Sequence, residues 1–170
     1  MKNFKLFVAV LFVLIGTKMT ANAQATATST ATARIVTPIS IVKNVNLDFG
    51  NVAVTSVGGT VIMSPAGIRS VTGGLTLPVI TGTVTAASFA VAGEGSYTYA
   101  ITLPAAATTI TSGVNTMTVN TFTSSPTPTG TLSAGGAQTL TVGATLNVNA
   151  SQAPGTYISG SGFDVTVNYN

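Results

Sequence analysis

The sequence predicts an all-β protein whose antiparallel strands stack as a β-sandwich. Apolar and polar residues alternate in many short stretches after residue 23, and no stretch there has apolar residues at helical spacing. Glycine, proline and asparagine separate these stretches, as they separate the strands of sandwiches and barrels. Because no helices are predicted to cover a parallel sheet, we expect antiparallel pairing, with a sandwich favoured over a barrel.

The beginning of the chain has the three parts of a cleaved signal peptide. Lys2 and Lys5 form a positive region ahead of an apolar region that runs unbroken over residues 6–15. Ala23 and the alanine two positions before it are the small residues that signal peptidase requires. We expect cleavage between Ala23 and Gln24, which leaves 24–170 as a single exported domain. A membrane anchor is the weaker interpretation, because a spanning helix needs about 20 apolar residues.

Four weaker strand candidates follow in the first half of the mature chain. Each is bounded by glycine, proline or asparagine, and each alternates over only a few residues, so its borders are approximate. They cover residues 39–42, 45–49, 60–63 and 75–84.

A β-hairpin is predicted over residues 86–103. Ala87, Phe89 and Val91 alternate with smaller residues in its first strand, and a second alternating run ends at Pro104, which lacks an amide donor. The segment between the two runs is Gly-Glu-Gly-Ser, which is typical of a turn.

Further along, Met117 and Val119 belong to another predicted strand. Residues 124–130 form a predicted exposed loop, because they contain two prolines among small polar side chains.

Two long alternating segments complete the chain. Residues 139–149 place five apolar side chains on one face, and Gly143 among them indicates a bulge or a close backbone approach. At the C-terminus, the alternation of a half-buried strand is clearest. Its apolar face consists of Phe163, Val165, Val167 and Tyr169.

The charge of the mature chain argues against nucleic acid and anionic membranes as partners. The whole chain has six Lys and Arg and three Asp and Glu. The signal peptide contains three of the six cations, so the mature chain has three charges of each sign. Binding to a phosphate backbone depends on many clustered cations. Cysteine is absent, so the exported domain must be stable without disulfides.

The residue types exclude most catalytic chemistry. Histidine and cysteine are both absent, which removes the commonest general base, the thiolate nucleophile and the main ligands of zinc, copper and haem. After the signal, the carboxylates are Asp48, Glu94 and Asp164. A glycosidase pair among them would need a separation of about 5 to 9.5 Å. We interpret them as solvated surface charges, and expect no enzyme activity, no cofactor and no metal.

A glycan-binding module is the alternative interpretation for an exported sandwich. Tryptophan is absent, and Tyr97 and Tyr99 share a strand face with Ile101, which places them in the core and not on a stacking platform. The determinants of such a module would lie in loops around Gly95 or Pro126. An ice-binding face would need regular ranks of threonine, which the sequence does not show.

The mature chain resembles, over almost its whole length, the bacterial domain-of-unknown-function family 4402. The resemblance is carried by five short segments that together are specific. These segments are Ala25-Thr26-Ala27-Thr28, Thr37-Pro38-Ile39-Ser40-Ile41, Leu47-Asp48-Phe49-Gly50, Ser64-Pro65-Ala66-Gly67, and the ending Pro154-Gly155-Thr156-Tyr157 with Phe163-Asp164-Val165-Thr166-Val167-Asn168-Tyr169.

The ending and Phe49-Gly50 are also similar, more distantly, to spore coat protein U and to pilin subunits of the chaperone-usher route. That similarity implies an immunoglobulin-like, pilin-like sandwich. It further implies that the C-terminal strand with Phe163, Val165, Val167 and the penultimate Tyr169 is presented to a chaperone or to a neighbouring subunit. The chain departs from those proteins by lacking their pair of cysteines, and its N-terminal stretch offers mainly small alanine methyls.

From these observations we expect an exported, non-enzymatic structural or adhesive protein of the periplasm, the cell surface or the extracellular space. Low charge and alternating strands leave a sheet edge able to pair with copies of the same chain or with other surface subunits. No membrane span is expected after signal cleavage. The alternatives left open are a glycan- or ligand-binding module and an enzyme that depends on the three carboxylates.

Overall fold

A computed structural model describes residues 23–170, so the predicted signal peptide, apart from Ala23, lies outside the described residues. The chain divides into two units, Met1–Arg34 and Ile35–Asn170. In the first unit, residues 23–34 have no regular secondary structure and are exposed. Between residues 23 and 170, no helix is long and apolar enough to span a membrane.

The second unit consists of twelve β-strands joined by turns and loops. In chain order they are β1 Ser40–Val45, β2 Ala53–Val54, β3 Gly59–Met63, β4 Arg69–Val71, β5 Leu75–Thr76, β6 Ala87–Ala92, β7 Thr98–Thr102, β8 Thr108–Ser112, β9 Asn115–Ser125, β10 Thr129–Thr131, β11 Ala137–Val148 and β12 Thr166–Tyr169.

The strands form antiparallel sheets, which confirms the predicted all-β class. The largest sheet has seven strands in the order β1-β6-β11-β3-β4, with β9 paired to β11 and β8 paired to β9. A three-stranded sheet has the order β10-β7-β12, and β2 pairs with β5. The immunoglobulin-like sandwich topology stays a prediction.

Strand β11 is the centre of the large sheet. Residues 137–142 pair with β6, residues 144–148 pair with β3, and residues 141–147 pair with β9. Strands β6 and β3 therefore follow each other along one edge of β11, while β9 occupies the other edge. The alternation predicted for residues 139–149 is confirmed, because every second residue from Leu140 to Val148 is buried.

Two clusters of buried side chains stabilise the unit, and β11 contributes to both. The first cluster contains Phe49, Val61, Met63, Leu75, Met117, Val119, Ala144, Leu146 and Val148. The second cluster contains Ala87, Phe89, Val91, Tyr99, Leu132, Leu140, Val142 and Val167, and so joins the large sheet to the three-stranded sheet. Full burial of a valine or leucine stabilises by about 1.5–3 kcal/mol, which explains why the longest apolar alternation takes the central position.

The predicted hairpin over residues 86–103 is wrong. Both of its strands exist, as β6 and β7, but they belong to different sheets and do not pair with each other. The apolar faces of both strands need burial, and on opposite sheets Phe89 and Tyr99 can share one cluster. A hairpin would have placed both faces on the same side of a single sheet.

The β6–β7 connection crosses between the two sheets beside the connection from β10 to β11. The two crossings are held together by backbone hydrogen bonds. The N–H of Gly93 donates to the carbonyl of Gly136 at 2.9 Å, and the N–H of Ser96 donates to the carbonyl of Ser133 at 3.0 Å. The Gly-Glu-Gly-Ser segment, which was predicted to form a hairpin turn, thus connects strands of two different sheets.

Other strand borders also differ from the sequence prediction. Residues 75–84 form a strand only at Leu75–Thr76, and residues 45–49 contribute an isolated bridge beyond the end of β1. The predicted loop at 124–130 is shorter than expected, because its ends belong to β9 and β10. Ser124 is buried there, and its hydroxyl donates to the Pro126 carbonyl at 2.8 Å. Strands β2, β4, β8 and β10 were not predicted, because their apolar alternation is too short.

Candidate functional site

The C-terminal strand β12 lies at the edge of the three-stranded sheet. It pairs with β7 on one side, and no strand of the described chain pairs with its other side. The N–H of Asn170 donates to the carbonyl of Thr98 at 3.3 Å, so every second residue counted back from Asn170 faces β7. The backbone groups that point away from β7 are those of Val165, Val167 and Tyr169.

The burial of this strand confirms the predicted alternation. Val167 is buried, while Phe163, Val165 and Tyr169 are half-buried, and the residues between them are exposed. The regular strand begins only at Thr166, so Phe163 and Val165 lie ahead of it. All four apolar side chains belong to or pack against the second core cluster.

Strand β1 is an edge of the large sheet and is a neighbour of β12. By the same alternation of hydrogen bonds, the backbone groups of Ile39 and Ile41 point away from β6. Their half-buried side chains pack against the second core cluster, as those of Val165 and Tyr169 do. We call these two neighbouring, unpaired edges the seam. It is defined by Ile39 and Ile41 on the β1 side and by Val165, Val167 and Tyr169 on the β12 side.

The β1 side of the seam and the edge strand β8 carry features that hinder pairing with another chain. Strand β1 contains Lys43, where its register with β6 becomes irregular. The edge of β8 is covered at Thr111, which exchanges two backbone hydrogen bonds of 2.9 and 3.0 Å with Ile158. Charges, bulges and covering segments are common protections of sheet edges. From Val165 to Asn170, however, the chain has no charged residue, no proline and no bulge.

One end of the seam is closed by a ring of three hydrogen bonds around Tyr169. Its hydroxyl donates to the carbonyl of Thr37 at 2.8 Å and accepts the N–H of Glu94 at 2.6 Å. The ring is completed by the N–H of Thr37, which donates to the Glu94 carboxylate at 3.0 Å. We call this arrangement the Tyr169 ring. It joins the chain ahead of β1, the β6–β7 connection and the C-terminal strand.

The three carboxylates considered as catalytic candidates lie in separate parts of the fold. Asp48 accepts the N–H of Gly50 at 2.8 Å and forms a backbone bridge with Thr85. Glu94 belongs to the Tyr169 ring, and Asp164 lies ahead of β12. Within residues 23–170, no group of three or more metal-ligating side chains comes together.

The two tyrosines considered for a glycan platform differ in burial. Tyr99 is fully buried, and its hydroxyl donates to the Gln138 side-chain oxygen at 2.9 Å. Tyr97 is 39% exposed and meets the ring of Tyr169 edge-on, with ring centroids 5.6 Å apart. The core position predicted for this face is thus confirmed for Tyr99, whereas Tyr97 lies at the surface beside the seam.

A shallow depression of about 360 Å³ lies on the other side of β12 from its unpaired edge, towards the end of β7. It is lined by residues 102–108 and 162–164 and by Thr166, so its polar lining residues include Asp164 and Thr102. The depression does not include Gly95 or Pro126, the residues around which the sequence placed a binding loop.

Comparison with known proteins gives one family and no named relative. The family model described as Domain of unknown function (DUF4402) matches residues 39–169. No curated protein and no solved structure matches the chain. The matched range contains all twelve strands and both sides of the seam. The more distant similarity to spore coat protein U and to pilin subunits stays a prediction.

Proposed function

Because the chain belongs to the DUF4402 family, whose description names no activity, we propose its function from the seam. The protein is an exported, non-enzymatic structural or adhesive surface protein that assembles with copies of itself, or with other surface subunits, by strand pairing. The supporting observation is the unpaired backbone edge at Val165, Val167 and Tyr169, which has no charge, proline or bulge and lies next to the unpaired side of β1.

An added strand would gain two kinds of contact at the seam. Its backbone would bond to the free N–H and carbonyl groups of the β12 side, where each hydrogen bond contributes about 0.5–1.5 kcal/mol. Its side chains would cover apolar groups that are only half-buried, such as Ile41 and Val165. Backbone bonds give affinity to any extended segment, while the apolar positions select its side chains.

The charge balance of the mature chain also supports self-assembly. Three cations and three carboxylates in residues 24–170 leave no net charge, so copies do not repel each other over long distances. A net charge near zero favours association in general. The export part of the proposal is supported by the signal-peptide pattern, and fractionation of native cells tests it by locating the processed chain.

Replacing Val165 with proline is expected to abolish assembly while the fold is kept. The Val165 amide points away from β7, so proline removes no bond of the β7–β12 ladder, but its ring blocks an incoming strand. The measurement is analytical ultracentrifugation of purified residues 24–170 over a range of concentrations. We expect concentration-dependent oligomers for the wild-type chain and monomers for Val165→Pro, with unchanged circular dichroism.

The matched control is Val71→Pro on the edge strand β4. Val71 is half-buried, packs against the first core cluster and, by the same alternation, turns its amide away from the paired strand β3. We expect Val71→Pro to assemble like the wild-type chain. A wild-type chain that stays monomeric at every concentration, or an equal loss of assembly in both proline variants, contradicts pairing at the seam.

The depression beside Asp164 supports a second candidate function, an extracellular module that binds a glycan or another hydroxylated ligand. Asp164 and three threonines are the polar residues of its otherwise mostly apolar lining, and small-molecule sites commonly combine an apolar surface with a few polar groups. This function predicts a saturable signal on a glycan array that Asp164→Asn reduces at least about tenfold, the effect of losing one charged hydrogen bond. Asp48→Asn, which lies outside the depression, serves as the control.

A further inference from the structure

The Tyr169 ring joins parts of the chain that are far apart in sequence. Both backbone groups of Thr37 are used, one by the Tyr169 hydroxyl and the other by the Glu94 carboxylate. A tyrosine hydroxyl can donate one hydrogen bond and accept another, and Tyr169 does both. The residue just ahead of the β1 side of the seam is therefore tied directly to the β12 side.

The surroundings of the hydroxyl show that it has a dedicated place. A Cβ atom on Gly93 would overlap the Tyr169 hydroxyl and would lie 3.1 Å from the ring carbon that bears it. The glycine thus provides the space into which the hydroxyl fits. The aromatic side chain of Tyr97 also meets the phenol of Tyr169 edge-on. This aromatic contact and the hydrogen bonds of the hydroxyl together fix the orientation of the Tyr169 side chain.

We infer that the Tyr169 ring is an autoinhibitory latch, which holds the chain ahead of β1 against β12 and thereby restrains strand addition at the seam. The inference rests on the proposed function, since it concerns the regulation of the same edge. A strand that pairs with the Tyr169 backbone needs a place about 4.8 Å from β12. The ring joins Thr37, just ahead of the β1 side, to the side chain at the end of β12, so it must open before the two sides of the seam can move apart and admit an incoming strand between them.

The test is Tyr169→Phe. This change removes the hydroxyl and keeps the aromatic side chain of residue 169 in contact with Tyr97. Hydrogen exchange followed by NMR measures the exchange rates of two amides. The amide of Glu94 loses its acceptor, and the amide of Thr37 lies in the segment that is released. We expect exchange at both amides to rise about tenfold, from the loss of two hydrogen bonds. We also expect oligomers to form at about a tenth of the concentration that the wild-type chain requires, since the same free energy no longer opposes pairing.

Tyr157→Phe is the matched control for the loss of a hydroxyl. The Tyr157 hydroxyl also makes two hydrogen bonds, donating to the Ala153 carbonyl at 2.7 Å and accepting from the Gln152 amide at 2.8 Å. Tyr157 packs against the first core cluster, not the second. We expect this variant to leave exchange at Thr37 and Glu94, and the assembly concentration, unchanged.

A second variant reaches the ring without changing the tyrosine. Gly93→Ala displaces the hydroxyl sterically and is expected to reproduce the effects of Tyr169→Phe. Unchanged exchange at Thr37 and Glu94 in both variants overturns the latch. The latch is also overturned if exchange becomes faster but assembly does not become easier, while Val165→Pro still abolishes association. If no variant and no wild-type sample associates, the proposed strand pairing fails as well. The exchange data then show separately whether the ring exists in solution.

Discussion

Replacing Tyr99 with alanine is expected to lower the free energy of unfolding by about 3–5 kcal/mol, the usual cost of removing a fully buried aromatic side chain. Tyr99 has no exposed surface and lies in the second core cluster, which joins β6 and β11 to the three-stranded sheet. Its ring also packs directly over Gly130, where a Cβ atom would overlap it. Gly130 itself has no side chain that could fill the space left by the phenol ring.

Urea denaturation of residues 24–170, followed by circular dichroism, measures this loss. Tyr97→Ala is the control, because Tyr97 lies in the same segment but is 39% exposed, and its removal should cost clearly less. An equal loss of stability in the two alanine variants would show that the second cluster does not hold the sheets together. Tyr99→Phe keeps the ring and should cost only about 0.5–1.5 kcal/mol, from the lost hydrogen bond to Gln138.

The phenol of Tyr99 also makes the stability of the fold sensitive to alkali. Burial raises the pKa of Tyr99 above its ordinary value of 10.0. A raised pKa means that the fold favours the neutral phenol, so this contribution is complete below pH 10.0 and is lost as the pH rises through the folded-state pKa. Comparison of the unfolding free energies of the wild-type chain and Tyr99→Phe above pH 10.0 isolates this contribution.

The sequence predicted the fold best where alternation is long. In β11 and around β12, every second side chain is apolar over many positions, and these residues are buried as expected. A long alternation fixes both the strand and its buried face, since a shift of one residue would expose the whole apolar set. The all-β class and the face formed by Val165, Val167 and Tyr169 follow from this pattern.

The sequence could not predict which strands pair. A short glycine-rich segment can form a hairpin turn or cross between two sheets, and the difference depends on distant partners. Between β6 and β7 the crossing is fixed by bonds to Ser133 and Gly136, which lie some forty residues further along the chain. The Tyr169 ring could not be predicted from local sequence patterns either, because Thr37 and Tyr169 are separated by 132 positions. The sequence singled out Tyr169 through the resemblance to pilin subunits, which implied a strand presented to a chaperone and no bond to Thr37.

The two sides of the seam differ in how they are protected. The β1 side has Lys43 and an irregular register, whereas the β12 side has neither charge nor bulge. Exposed, regular edges without such features promote pairing between chains. If the proposed function holds, the β12 side is the acceptor, and the Tyr169 ring takes the place of the missing protection.

Replacing Gly143 with alanine is expected to destabilise the fold by about 1–3 kcal/mol, the typical cost of forcing an extra methyl into a closely packed site. The added Cβ would lie 2.6 Å from the carbonyl carbon of Ser64 and 2.9 Å from the nitrogen of Pro65. Both are backbone atoms, which cannot rotate away as a flexible side chain can. The strand or the turn after β3 must therefore shift.

The position of Gly143 explains why the sheet requires a glycine there. The residue before it pairs with Ala87 of β6 and the residue after it pairs with Met63 of β3, so at Gly143 the central strand passes from one neighbour to the next. The register with β9 also shifts directly after Gly143. Gly160→Ala is the control, because no atom lies within 4 Å of its added Cβ, and its cost should stay within about 0.5 kcal/mol. If Gly143→Ala unfolds at the same urea concentration as Gly160→Ala, the close approach of β3 to the central strand is absent in solution.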